Sequence, residues 1–155
     1  MNQELKRRHI LAGVNGSLAS LAALRWAGRE AALRGVGLLA VRAWEDLSKR
    51  RAPYASHAGR PAVEEDQLVA GARLAEAVRS TLAALPDVTV TVKVTEGLTA
   101  RVLLDHAEGA ELLVLGSAAT AGPHAVGPVA QACLRHAPCP VVVVSADMAG
   151  VPVPA

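Results

Sequence analysis

Two kinds of apolar pattern alternate along the chain. The first is a short run of Val, Leu, Ile and Ala without polar alternation, which is typical of a parallel β-strand covered on both faces. Such runs occupy residues 9–14, 36–43, 112–115 and 141–144. Residues 88–94 instead alternate valine with Thr or Lys, a period-two pattern that predicts a strand with one wetter face near a sheet edge.

The second kind of pattern repeats at helical spacing between these runs. Ser17 is predicted to cap a helix that continues to Arg34, and shorter helices are predicted over 98–107 and 126–137. The longest one is predicted to begin near Pro61 and to end before Pro86. Its apolar stripe is predicted to contain Leu68, Ala75, Val78, Leu82 and Leu85.

Five strands alternating with four helices predict an α/β fold, an open, doubly wound parallel sheet with right-handed crossovers. Residues 9–145 are predicted to form a single domain, with an N-terminal extension over 1–8 and a flexible tail over 146–155. The segment 46–60 is predicted to be a surface loop, and whether it orders on binding is left open. Ligands of such sheets bind at the carboxyl ends of the strands, where the strand order reverses.

Composition narrows the classes of function. The chain has 155 residues, of which 52% are hydrophobic and 2% aromatic, and its formal net charge is +2. This balance excludes intrinsic disorder, and the scarcity of rings argues against a base-stacking nucleic-acid platform. No apolar run is long enough to span a membrane and no signal peptide is recognisable, so we expect a cytoplasmic protein without nucleic-acid or membrane partners.

The loops at the carboxyl ends of the first, second and fourth strands are rich in small residues. A Gly- and Ala-rich segment, 116–127, leads into the last helix, and such a loop lets backbone N–H groups approach phosphates. No Walker lysine and no dinucleotide-binding glycine pattern is present. A flexible connector of small residues is the alternative interpretation.

Four segments together carry a family resemblance. They are Ile10-Leu-Ala-Gly-Val-Asn-Gly-Ser17, Val41-Arg-Ala-Trp-Glu45, Glu111-Leu-Leu-Val-Leu-Gly-Ser117, and the run from Gly127 through His-Ala-Pro-Cys-Pro to Val144. The chain resembles the universal stress protein (UspA-like) family over residues 9–145. The resemblance implies an adenine nucleotide alpha hydrolase-like sheet in the order 3-2-1-4-5 and a dimer.

Some members of this family bind ATP through a Gly-x-x-Gly, nine residues, Gly-Ser/Thr motif, and this chain matches that motif incompletely. Gly116 matches the first glycine and Gly127 the last, but Ala119 replaces the second glycine and the loop is two residues short. Pro128 replaces the hydroxyl residue, and Asn15 replaces the family's acidic residue. Because proline supplies neither N–H nor hydroxyl, ATP binding is expected to be weakened. The sequence does not decide whether ATP binds.

The nucleotide pocket implied by the resemblance involves nine residues: Gly13, Val14, Asn15, Ala43, Leu115, Gly116, Ser117, Gly127 and Val129. Adenine would lie on aliphatic and backbone groups there. No catalytic residue and no metal ligand is assigned, because the histidines are scattered and Ser17 lacks a nucleophile elbow. Cys133 and Cys139 are interpreted as core residues.

The expected function is a non-catalytic stress-response sensor or adaptor with a degenerate ATP-binding motif. Two alternatives stay open, a slow ATP-hydrolysing enzyme and a homodimeric interaction protein that binds no nucleotide. The last strand, Val141, Val142, Val143 and Val144, lies at a sheet edge in the implied order, and an unprotected apolar edge invites pairing. We therefore expect a homodimer through this strand.

Overall fold

The computed structural model describes residues 8–45, 63–85, 87–118 and 126–146. Strands and helices alternate throughout, in the order β1 (His9–Gly13), α1 (Leu18–Arg34), β2 (Gly37–Trp44), α2 (Val63–Thr81), β3 (Val90–Glu96), α3 (Thr99–His106), β4 (Ala110–Gly116), α4 (Pro128–His136) and β5 (Val141–Val144). Nearly all of the expected N-terminal extension and tail, and the loop 46–60, lie outside the described residues.

The five strands form one parallel sheet in the order β3-β2-β1-β4-β5, which confirms the expected fold. The chain builds outward from β1 in one direction through β2 and β3, and in the other through β4 and β5. The strand order therefore reverses at β1 and β4. β3 lies at one edge of the sheet, as its alternating pattern predicts, and β5 lies at the other.

Two apolar layers cover the sheet. On one face, α1 and α2 pack through fully buried residues such as Leu24 and Leu74. On the other face, α3 and α4 pack through Leu103 and Cys133 against Leu113. The sheet is thus covered on both faces, which is why β1 and β4 carry uninterrupted apolar runs.

The long helix α2 differs from the prediction in which residues it buries. Leu68, expected on the apolar stripe, is 72% exposed, and Ala75 is also exposed. The buried residues follow the row of positions four apart along the helix: Ala70, Leu74, Val78 and Leu82. A stripe of small and large apolar residues along one such row packs closely on a sheet, whereas Leu68 lies about a quarter turn away from it.

The start of β3 also differs from the prediction. The valine alternation begins at Val88, but the strand begins at Val90. The N–H of Val88 donates to the carbonyl of Leu85, 3.4 Å away, and its side chain packs against the α1–α2 layer. Val88 therefore belongs to the turn that leads into the sheet.

Candidate functional site

A cavity of about 260 Å³ opens at the carboxyl ends of β1, β2 and β4, where the strand order reverses. This volume is close to the lower limit of small-molecule pockets, about 300 Å³. The turn after β1, the end of β2, the start of α3, the end of β4 and the first turn of α4 surround it. Its lining residues are Gly13, Val14, Asn15, Ser17, Ser20, Val41, Arg42, Ala43, Thr99, Leu103, Leu115, Gly116, Ser117, Ala118, Gly127, Pro128, Val129 and Ala130.

The turn between β1 and α1 is held by side-chain hydrogen bonds. Gly16 has φ 88°, a left-handed conformation that favours glycine. Asn15 Oδ1 accepts the N–H of Ser17 at 2.9 Å, and Ser17 Oγ accepts the N–H of Ser20 at 3.1 Å, which confirms Ser17 as the N-cap. Because its carbonyl oxygen is used in this turn, Asn15 offers its amide N–H groups to a ligand.

The first turn of α4 forms the opposite wall. Gly127 is the N-cap and has no side chain to cap the helix, and Pro128 at the first helical position has no N–H. The N–H of Gln131 donates to the carbonyl of Gly127 at 2.9 Å. The N–H groups of Val129 and Ala130 donate to no group among the described residues. They are two donors at the positive end of a helix dipole.

Ser117 lies on the cavity wall directly after β4. Its backbone N–H donates to the carbonyl of Val144 at 2.8 Å, which fixes the residue beside β5. The residue is 7% exposed, and its hydroxyl has no hydrogen-bond partner in the described part of the chain. A buried polar group without a partner costs about 1–3 kcal/mol. The residue lines the cavity, but its hydroxyl oxygen is closed to solvent, so a ligand in the open cavity does not reach it.

Arg42 is the only charged side chain on the lining that the structure describes. Its Nη1 lies 3.8 Å from the position that a Cβ atom on Gly16 would occupy, so the guanidinium lies over the β1–α1 turn. No carboxylate in the described ranges forms an ion pair with it, and none lines the cavity. The described residues also contain no cluster of His, Cys, Asp and Glu that could hold a metal ion. The cavity therefore favours anions electrostatically.

The nine residues expected at the nucleotide pocket all line this one cavity. Ala119, expected at the second glycine of the motif, lies outside the described residues. Sequence reasoning missed Arg42, although this residue lies two positions before the end of β2, next to Ala43, and parallel sheets bind ligands at that end of their strands. It also missed Thr99 and Leu103, for which no signal existed, because a helix that closes the side of a cavity has no motif.

Comparisons with known proteins show the family of the chain. Residues 6–145 match the family model described as the universal stress protein family. The chain belongs to this family. A universal stress protein from Mycolicibacterium smegmatis is 34% identical over 140 residues, which are 89% of this chain and 46% of the relative. Universal stress protein Rv2005c from Mycobacterium tuberculosis is 35% identical over 136 residues, 86% of this chain and 44% of the relative. The chain thus spans less than half the length of these curated relatives.

Solved universal stress protein structures share the fold. UspA from Lactobacillus plantarum has a TM-score of 0.70 and 26% identity, covering 90% of this chain and 97% of that one. A universal stress protein in complex with cAMP has a TM-score of 0.63 and 17% identity, covering 90% and 97%. A family protein from Arabidopsis thaliana with AMP bound has a TM-score of 0.62 and 18% identity, covering 89% and 90%.

The two thiols of this universal stress protein domain lie in the α3–α4 layer. Cys133 is fully buried and Cys139 half-buried. Burial raises the pKa of both thiols, and the nearby Cys139 raises the pKa of Cys133 further. Among the described residues, no helix is long and apolar enough to cross a membrane.

Because the raised pKa values keep both thiols protonated at neutral pH, we expect slow alkylation of the folded protein. Mass spectrometry after iodoacetamide treatment at pH 7 should show far less labelling than for the urea-unfolded chain. Labelling should rise as the pH increases through the raised pKa of Cys139. Rapid labelling of the folded protein at pH 7 would contradict this assignment.

Proposed function

We propose that this chain is a non-catalytic, cytoplasmic stress-response sensor or adaptor that binds an adenine nucleotide in the cavity. The observation that carries this proposal is the cavity at the carboxyl ends of the strands, with apolar walls and with hydrogen-bond donors that have no partner among the described residues. Solved family members are described in complex with cAMP and with AMP bound, which supports an adenine nucleotide as the ligand class.

Adenine would pack on the aliphatic wall formed by Val14, Ala43 and Leu115. No aromatic ring lies on the described lining, so stacking on a ring contributes nothing there. Burial of an apolar ligand surface contributes about 25 cal/mol per Å², and the flat base fits between small side chains better than between bulky ones. The shape of this wall is therefore the main determinant of base binding.

The lining supports binding better than hydrolysis. Arg42 is the only charged side chain among the described lining residues, and a guanidinium has hydrogen-bond donors but no acceptor, so it cannot serve as a general base. A phosphate-release assay with ATP and Mg²⁺ should give the rate of the buffer alone. Release of phosphate at a rate proportional to protein concentration would favour the slow ATP-hydrolysing enzyme.

Replacing Ala43 by leucine tests the site. The larger side chain enters the space assigned to adenine and should weaken AMP binding by about tenfold or more, as expected when a bound ligand loses about 1.4 kcal/mol. Ala72→Leu on the exposed side of α2 is the matched control and should leave binding unchanged. Isothermal titration calorimetry measures both. Equal AMP affinity for the two variants would place the ligand elsewhere.

We also propose a homodimer through β5. The carbonyls of Pro140 and Val144 accept N–H groups of Leu113 and Ser117, so they face β4. Because backbone groups alternate sides along a strand, Val141 and Val143 direct their N–H and C=O groups outward. No described residue pairs with this outer side. A second copy of the strand across a twofold axis would satisfy these groups and cover the half-buried valines.

A further inference from the structure

Two side chains beside the β1–α1 turn offer the cavity hydrogen-bond donors only. Arg42 has its Nη1 3.8 Å from the position of a Cβ atom on Gly16, and a guanidinium has N–H donors but no acceptor. Asn15 uses its Oδ1 to accept the N–H of Ser17 at 2.9 Å, so its amide N–H groups remain for a ligand. This donor corner, Asn15 and Arg42, therefore matches a ligand group that accepts hydrogen bonds and carries negative charge.

A ribose with two free hydroxyls requires different chemistry from the protein. In doubly wound nucleotide-binding sheets, a carboxylate accepts a hydrogen bond from the ribose 2′ hydroxyl, whereas an arginine accommodates a phosphate on the same oxygen. The lining has no carboxylate among the residues that the structure describes. Arg42 lies near the end of β2, beside the turn that follows β1. The donor corner thus fits a phosphorylated ribose better than an unmodified one.

The position of Arg42 also separates it from the N–H donors of α4. Arg42 is half-buried, and salt screens a partly buried charge less than an exposed one. The turn beneath it leads into α1 on one face of the sheet, whereas Val129 and Ala130 belong to α4 on the other face. A ligand that spans the cavity therefore meets groups that favour anions at two separate places.

We propose that Asn15 and Arg42 select an adenine nucleotide whose ribose carries a phosphate of its own, on the 2′ or the 3′ oxygen, in addition to the 5′ phosphate. This inference rests on the proposed adenine nucleotide site and names the group that its β1–α1 side recognises. Arg42 donates hydrogen bonds to the ribose phosphate and balances part of its charge. The Asn15 amide donates to another oxygen of the same group.

Calorimetric titrations of the wild type test this selectivity with AMP, ADP, adenosine 2′,5′-bisphosphate and adenosine 3′,5′-bisphosphate, at constant ionic strength and with EDTA. ADP is the matched control, because it has as many phosphates as the bisphosphates but none on the 2′ or 3′ oxygen. At least one bisphosphate should bind about tenfold to a hundredfold more tightly than ADP, as expected for added hydrogen bonds between charged groups. The isomer that binds more tightly identifies the phosphorylated oxygen.

Replacing Arg42 by glutamine should remove this advantage, so that the bisphosphates bind no more tightly than ADP while AMP affinity changes little. Arg42→Lys keeps the charge but loses the planar fork of donors, so it should keep part of the advantage. Arg29→Gln is the matched control, because Arg29 is exposed in the second half of α1, and it should behave as the wild type.

Replacing Asn15 by aspartate tests the charge of the donor corner. The variant keeps the Oδ1 that accepts the Ser17 N–H, so the turn stays intact. It exchanges the amide donors for a negative charge, which repels a ribose phosphate and accepts from a free ribose hydroxyl. The bisphosphates should bind about tenfold or more weakly to this variant, whereas AMP should bind at least as well as to the wild type.

The outcomes separate this inference from the proposed function. Bisphosphates that bind the wild type no more tightly than ADP would overturn the inference and leave the adenine site standing. Equal weakening of AMP and the bisphosphates by Arg42→Gln would do the same, because Arg42 would then act on the 5′ phosphate. Absence of binding for all four ligands would overturn the proposed function itself. Unfolding temperatures equal to that of the wild type establish that the variants are folded.

Discussion

Replacing Gly116 by alanine is expected to lower the free energy of unfolding by about 3 kcal/mol, the upper part of the usual range for overpacking a core. An added Cβ would lie 2.5 Å from the carbonyl carbon of Ala19, 2.6 Å from the nitrogen of Ser20 and 2.7 Å from the carbonyl oxygen of Ala19. These are backbone atoms of α1, so no side-chain rotation relieves the contact. The start of the helix must move away from β4.

The displacement of α1 should also change the shape of the cavity. Ser20 bonds the turn that carries Asn15, so a displaced α1 terminus also displaces one wall. Urea unfolding followed by circular dichroism measures the loss of stability. All variants are compared at one protein concentration, because the stability of the proposed dimer would depend on concentration. AMP titration of the folded fraction should show weaker binding.

Gly71→Ala is the matched control for this substitution. Gly71 lies inside the helix α2, and its added Cβ would make an ordinary contact at 3.8 Å with the side chain of Val94. Alanine is favoured over glycine in helix interiors by about 1 kcal/mol, so this variant should be slightly more stable than the wild type. A Gly116→Ala protein as stable as Gly71→Ala would contradict the close approach of β4 and α1.

Replacing Val143 by proline is expected to convert the proposed dimer into a monomer. The outward N–H of Val143 is one of the groups assigned to the partner strand, and proline removes it and projects its ring into the pairing edge. The hydrogen bonds between β5 and β4 are made by the alternate residues, so the sheet itself stays intact. Light scattering at tens of micromolar protein should therefore report half the mass of the wild type.

Val143→Thr is the control because it keeps the N–H and a similar side-chain shape. It should stay dimeric at the same concentration, and both variants should retain the circular dichroism of the wild type. A monomeric wild type, or a Val143→Pro protein that stays dimeric, would refute pairing through β5. In the second case the interface would have to use another surface, such as exposed Leu134 on α4.

The sequence predicted the sheet well because its signals are local. Continuous apolar runs and the cap at Ser17 depend on neighbouring residues only, and the strand order followed from the family resemblance. Packing between elements that are distant in the sequence was harder to predict. The alternating valines indicated a strand from Val88, but pairing with β2 begins only at Val90. Likewise Leu68 fits a helical stripe, yet the sheet contacts the row that contains Leu74.

In the candidate site, too, the features that depend on local sequence could be predicted, and those that depend on packing could not. Residues at the strand ends, such as Gly13 and Ser117, could be predicted from the sequence because a parallel sheet presents the ends of its strands at one edge. Three features required coordinates: the burial of the Ser117 hydroxyl without a partner in the described part of the chain, the position of Arg42 over the β1–α1 turn, and the close approach of Gly116 to α1. Each depends on the distance between elements that are far apart in the sequence.

The most direct test of the central claim is a calorimetric titration of the wild-type protein with AMP in the presence of EDTA. We predict saturable binding of one AMP per protomer, with an unfolding temperature that rises as AMP is added, because a ligand that binds the folded state stabilises it. No heat of binding and no shift in unfolding temperature at millimolar AMP would contradict the account.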